Sequence, residues 1–142
     1  MVIVAAVDRS NRAEDVVREA GVLAEAFDDT VHVIHVLTRS EFVELERTNV
    51  DTTGEALDID EVKSVAEEIA AEAAESLTVP YECSGLMGDP ASTIVDYATD
   101  EGARYLVVGA RKRSPTGKAL FGSIAQSVLL NATCPVLTTL QQ

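Results

Sequence analysis

Residues 30–37 read Thr-Val-His-Val-Ile-His-Val-Leu. Apolar and β-branched residues dominate without the alternation of a half-exposed strand, so the run predicts a strand covered on both faces. Residues 2–7, Val-Ile-Val-Ala-Ala-Val, read the same way. Between the two lies a helical pattern. From Ala13 to Phe27, the residues Val16, Ala20, Leu23, Ala24 and Phe27 form one apolar stripe at the 3.6 period. The polar turn Asp8-Arg9-Ser10-Asn11 precedes it, with Ser10 or Asn11 as N-cap, and Asp28-Asp29 ends it. Buried strand, helix and buried strand make a βαβ unit, which implies parallel pairing.

The same alternation continues downstream. Residues 38–58 are polar, weakly periodic and contain Gly54, so they read as the least ordered stretch. Ile59 to Leu77 predicts a helix through Ile59, Val62, Val65, Ala66, Ile69, Ala73 and Leu77, with Glu67, Glu68, Glu72 and Glu75 on its solvated face. Val79 to Gly85 is a weaker strand with Pro80 near its start. Gly88-Asp89-Pro90 then marks a helix entry, Asp89 as N-cap and Pro90 at the first helical position. That helix runs to Glu101 and stops at Gly102. A strand at Arg104–Gly109, a loop to Phe121, a helix at Ser123–Asn131 and a strand at Pro135–Leu140 complete the chain. The expected order is β-α-β-α-β-α-β-α-β: an α/β protein with an open five-stranded parallel sheet and helices on both faces.

Composition narrows the function. The chain has 142 residues, so a single domain spanning 1–142 is expected, with no repeat, linker or low-complexity tract. Twenty-four acids face eleven bases, a net charge of −13. That balance argues against general nucleic-acid binding, which needs a basic footprint. No apolar run is long enough to span a membrane. The apolar start lacks a basic stretch and is broken by Asp8, so it reads as a strand rather than a secretory signal. Cys83 and Cys134 lie far apart with no C-x-x-C, which suits a reducing cytoplasm. Acid excess, three lysines against eight arginines, and few aromatics suggest a salt-rich cytoplasm and a halophilic acidic protein. Melting in molar KCl is then expected at a clearly higher temperature than in dilute buffer; equal melting in both refutes the halophilic reading.

Ligands of open α/β sheets sit beyond the carboxyl ends of the strands, where strand order reverses. Asp8 follows the first strand, and Thr38 follows the second. The segment after the fourth strand is the anomaly. Arg111, Lys112, Arg113 and Lys118 are four of the eleven bases, packed into eight residues. Gly109 precedes them, and Gly122-Ser123 opens a helix whose free N–H groups and dipole favour anions. A phosphate cradle is one reading; a solvated loop balancing an acidic surface is the other. A Walker loop is excluded, because seven residues separate Gly109 from Gly117 where that motif has four, and Ala119 stands where Ser or Thr should be. No G-x-G-x-x-G follows the first strand.

The remaining polar residues are blander. His32 and His35 are three apart on a strand and so face opposite ways, which argues against a shared metal. The cysteines read as small apolar fillers, and Glu67-Glu68 and Asp28-Asp29 as solvated charges. Asp8 reads as a ligand contact, with helix capping as its alternative role. No catalytic constellation is visible, so the chain is not expected to be an enzyme beyond slow, incidental hydrolysis.

Gly109 to Ser123 resembles the nucleotide-binding loop of the universal stress protein family, G-x2-G-x9-G-[ST], with Lys112 in place of the middle glycine. Val4 to Asp8, Gly88-Asp89-Pro90 and Cys134-Pro135-Val136-Leu137 resemble its first strand, its turn before the third helix and its closing strand. The resemblance covers nearly the whole chain. It implies a sheet of order 3-2-1-4-5, the Rossmann-like arrangement of the adenine nucleotide α-hydrolase group. It also implies ATP, with or without Mg2+, at the switch between strands one and four, and homodimers through the last strand, Pro135 to Leu140. Asp8 would meet adenine or ribose, and Val36 would line the adenine slot. Gly109, Arg111 and Lys112 would run under ribose and phosphates, and Gly122, Ser123 and Ile124 would offer N–H groups. The function it implies is a cytoplasmic, ATP-binding regulator of the stress response. Lys112 keeps open a nucleotide-independent dimerisation module, and a slow nucleotide hydrolase or nucleotidyl-transfer enzyme is a third reading.

Overall fold

The computed structural model describes residues 1–53, 58–110 and 122–140. Five strands, β1 (Val2–Ala6), β2 (Thr30–Leu37), β3 (Tyr81–Met87), β4 (Tyr105–Ala110) and β5 (Val136–Leu140), form one sheet of order β3-β2-β1-β4-β5. Every pairing is parallel. The five helices are α1 (Arg12–Phe27), α2 (Arg39–Thr53), α3 (Ile59–Ala74), α4 (Pro90–Asp100) and α5 (Ser123–Asn131).

The two-sided burial read from residues 30–37 has a clear cause. Val31 and Val33 of β2 pack with Val16, Val17 and Ala20 of α1 and Ala70 and Ala74 of α3 on one face. Ile34 and Val36 pack with Ala91, Ile94 and Ala98 of α4 and Val128 of α5 on the other. The central strand β1 likewise splits its side chains, Ile3 and Ala5 to the first layer and Val4 to the second. Cys83 and Cys134, half-buried, fill the edges of the two layers, and burial raises both thiols above their ordinary range.

Helix ends follow local chemistry. Asp89 caps α4, its carboxylate accepting from Ser92 N–H at 3.1 Å, and Pro90 opens the helix. Gly102 past its end has φ +61, the left-handed conformation glycine takes without strain.

Three expectations are corrected. Residues 39–53, within the stretch expected to be least ordered, form α2 (Arg39–Thr53), so the order gains a second helix between β2 and β3, while residues 54–57 lie outside the described residues. The first two turns of α2 present Phe42 and Leu45 to buried Leu37, Val62 and Ala66. The third strand starts two residues later than expected, at Tyr81. Pro80 has no N–H to give, and its carbonyl accepts Val31 N–H at 3.0 Å just before the strand begins. Asp29 is not a solvated charge. Its side chain is 2% exposed, held by Arg104 Nε at 2.6 Å and the Met1 ammonium at 3.2 Å. The Arg104 hydrogen bond, with help from the Met1 ammonium, keeps this carboxyl below its usual range against the effect of burial.

Candidate functional site

β1 pairs with β2 on one side and β4 on the other, and the chain leaves these neighbours in opposite directions. The gap this creates at the carboxyl ends of the strands is a cleft of about 220 Å³. Its floor is Ala6, Val7, Asp8, Val36, Val108 and Gly109, from the ends of β1, β2 and β4. One wall is Arg12, Ala13 and Val16 of α1; the opposite wall is Pro90 and Ile94 of α4 with the first turn of α5. Thr38, Glu41 and His35 close the β2 end.

The structure therefore brings together six of the residues singled out in the sequence: Asp8, Val36, Gly109, Gly122, Ser123 and Ile124 all line this cleft. Arg111 and Lys112 lie outside the described residues. α5 opens into the cleft with Gly122 as N-cap, and no acidic residue stands in its first turn. Its unpaired N–H groups and dipole make that end attractive to an anion.

Asp8 stands at the cleft, which it lines, and in the turn before α1, whose entry it organises. Its Oδ1 accepts from Ser10 N–H at 2.9 Å and from the Ser10 hydroxyl, and its Oδ2 accepts from Arg12 at 2.9 Å. Partial burial pushes this carboxyl up, but the Ser10 hydrogen bonds and the Arg12 charge outweigh it and hold it below the usual range. Ser10 also accepts from the Arg12 Nε at 3.0 Å, which fixes the guanidinium along the cleft wall. Gly109 has a packing reason for its missing side chain. A Cβ there would stand 3.3 Å from Arg12 Cβ and from Val16 Cγ2, so glycine lets α1 settle onto β4 beside the cleft.

Sequence reasoning missed Arg12, Glu41 and the cleft role of His35. For Glu41 a signal existed: Thr38-Arg39-Ser40-Glu41 has the spacing of a capping box. In the structure Thr38 Oγ1 accepts from Glu41 N–H at 3.1 Å, and Glu41 Oε1 lies 3.4 Å from Thr38 N. The two histidines do face opposite layers. His32 sits near the other end of the sheet between Tyr97 and Glu82, at 2.9 and 2.8 Å. Among the described residues no group of three or more His, Cys, Asp or Glu is placed to hold a metal ion, and no helix is long and apolar enough to cross a membrane.

A doubly wound parallel sheet with a cleft at its switch point and an open helix N-terminus beside it defines an α/β fold of the ligand-binding kind. The family model described as the universal stress protein family matches residues 1–139, and the chain belongs to that family. A universal stress protein of Methanocaldococcus jannaschii is 30% identical over 135 residues, which is 95% of this chain and 79% of that protein. The solved universal stress protein of Archaeoglobus fulgidus is 34% identical, covers 96% of both chains and superposes with a TM-score of 0.61. A structure from the same organism in complex with dAMP is 24% identical, with a TM-score of 0.55, covering 96% of this chain and 94% of that one.

Proposed function

We propose that this chain binds an adenine nucleotide, ATP first among them, in the switch-point cleft, and serves as a non-catalytic, nucleotide-dependent regulator in the cytoplasmic stress response. The carrying observation is the convergence on one cleft of Asp8, Val36, Gly109, Gly122, Ser123 and Ile124, with the open end of α5 at its wall. The dAMP complex of the Archaeoglobus fulgidus neighbour supports an adenine nucleotide as the ligand class. The phosphates belong at α5, the ribose over Asp8 and the base toward Val36. Asp8 is committed to Ser10 and Arg12, so magnesium would ride on the phosphate oxygens of ATP. Occupancy would bias the first turn of α2, where Thr38 and Glu41 meet the cleft, and a partner would read that surface.

Calorimetric titration of ATP with magnesium, in molar KCl, tests this. Micromolar binding is expected. Its absence in folded protein favours the second reading, a nucleotide-independent dimerisation module, for which Lys112 at the motif's middle glycine is the motive.

The dimer is a separate expectation. β5 is an edge strand whose residues are all half-buried, and pairing about a twofold axis would cover its open ladder. Light scattering is expected to give twice the 15.1 kDa chain mass; a purely monomeric species refutes it.

A further inference from the structure

We propose that His35 and Glu41 form a paired hydrogen-bond acceptor at the β2 end of the cleft, which selects a purine carrying an amino group over one carrying an oxo group in its place. The inference rests on the nucleotide reading above and names the residues that discriminate within it.

The β1–β2 ladder ends where Val7 N–H donates to the Ile34 carbonyl at 2.9 Å. The Val7 carbonyl then takes the His35 side chain, with Nδ1 at 2.8 Å. A carbonyl only accepts, so Nδ1 carries a proton, and in the tautomer this selects Nε2 is the ring's acceptor. That side chain is 6% exposed, and among the described residues Nε2 has no hydrogen-bond partner. A buried acceptor left unpaired is costly, and this one belongs to a residue lining the cleft.

The atom facing it is another acceptor. Glu41 Oε2 lies 3.9 Å from His35 Nε2, too far for a hydrogen bond. Glu41 is not free to choose its place, because its other oxygen is held by the Thr38 capping box. Two fixed acceptors with no proton between them call for a group with two N–H bonds. One amino nitrogen can stand about 3 Å from both atoms, which lie 3.9 Å apart. A carbonyl oxygen in that place would face two acceptors and be repelled.

The position along the cleft says which part of the ligand arrives there. The anion-accepting end of α5 follows β4, and His35 is on β2. Those strands flank β1, so they are two strand spacings, about 10 Å, apart. A ligand whose phosphate rests at α5 reaches His35 with the far edge of its base, while its sugar lies over β1 at Asp8.

Calorimetry with AMP and IMP on three proteins decides the matter. Wild type is expected to bind AMP roughly ten- to a hundredfold more tightly than IMP. Glu41→Gln keeps the capping oxygen, since glutamine also serves a capping box, but turns an N–H2 group toward the ligand. It should narrow the AMP-to-IMP ratio to within roughly threefold, chiefly by improving IMP. His35→Phe, checked for native melting, should narrow it by weakening AMP. A wild-type ratio that persists in both variants overturns the proposal and places discrimination on the main chain. Equal binding of AMP and IMP by wild type overturns it too. Binding of neither nucleotide by wild type removes the nucleotide reading itself, a result distinct from the other two.

Discussion

Gly85→Ala is expected to destabilise the protein by about 3–5 kcal/mol, which is a large share of the roughly 5–15 kcal/mol that holds a domain together. A Cβ at position 85 would stand 2.1 Å from the Lys63 carbonyl oxygen and 2.5 Å from the Glu67 nitrogen. Both are main-chain atoms of α3, so no rotamer change relieves the clash. The whole helix must retreat from β3. Val62, Ala66, Ala70 and Ala74, which α3 buries completely, would retreat with it and open gaps in two core clusters. Gly21→Ala is the contrast. There the nearest atom is Leu77 Cδ2 at 3.1 Å, the end of a flexible side chain, and alanine gains about 1 kcal/mol of helix propensity. Urea midpoints of the two variants should therefore part widely. A Gly85→Ala protein within about 1 kcal/mol of wild type would mean that α3 does not lie this close to β3.

The strands were legible because the fold covers them twice. Burial on both faces removes the alternation that a one-sided sheet would show, and residues 2–7 and 30–37 carry that pattern openly. Strand order was not in the periodicity; it was implied by the family resemblance that the motifs around Asp8, Gly88, Gly109, Gly122 and Pro135 carry. α2 escaped notice because it touches the core through little more than one turn, Phe42 and Leu45. A stripe that short leaves no 3.6 period to detect, although Thr38 and Glu41 had the spacing of its cap. Asp29 was misread for a different reason. Its partner Arg104 is 75 residues away, so nothing local distinguishes it from its exposed neighbour Asp28.

The cleft divides in the same way. Asp8, Gly109 and Gly122-Ser123 stand at strand and helix ends, and ends can be read from sequence. Arg12, His35 and Glu41 depend on how α1, β2 and α2 sit against one another. The Nε2 of His35 is the ring's acceptor only because Val7, 28 residues earlier, offers its carbonyl to the other ring nitrogen. Facts of register such as this one appear only once the strands are laid side by side.

Gly122→Val is expected to weaken ATP binding at least about a hundredfold, or about 2.7 kcal/mol, while leaving the fold standing. The backbone at Gly122 has φ −67 and ψ 162, an extended conformation open to any residue, so valine meets no backbone strain there. Its stability cost should stay near 1 kcal/mol, the usual difference between a good and a poor N-cap. Binding is another matter. Gly122 lines a cleft of only about 220 Å³, and a phosphate must bring its oxygens to about 2.9 Å from N–H groups in the first turn of α5. A branched side chain at the helix entry takes that space and shields those donors from the anion. The two measurements separate cleanly: melting reports the fold, and calorimetry reports the cleft. A folded valine variant that binds ATP as tightly as wild type would show that the phosphates do not rest on α5. A variant that melts normally and no longer binds ties the nucleotide to the α5 side of the switch-point cleft, which Gly122 lines.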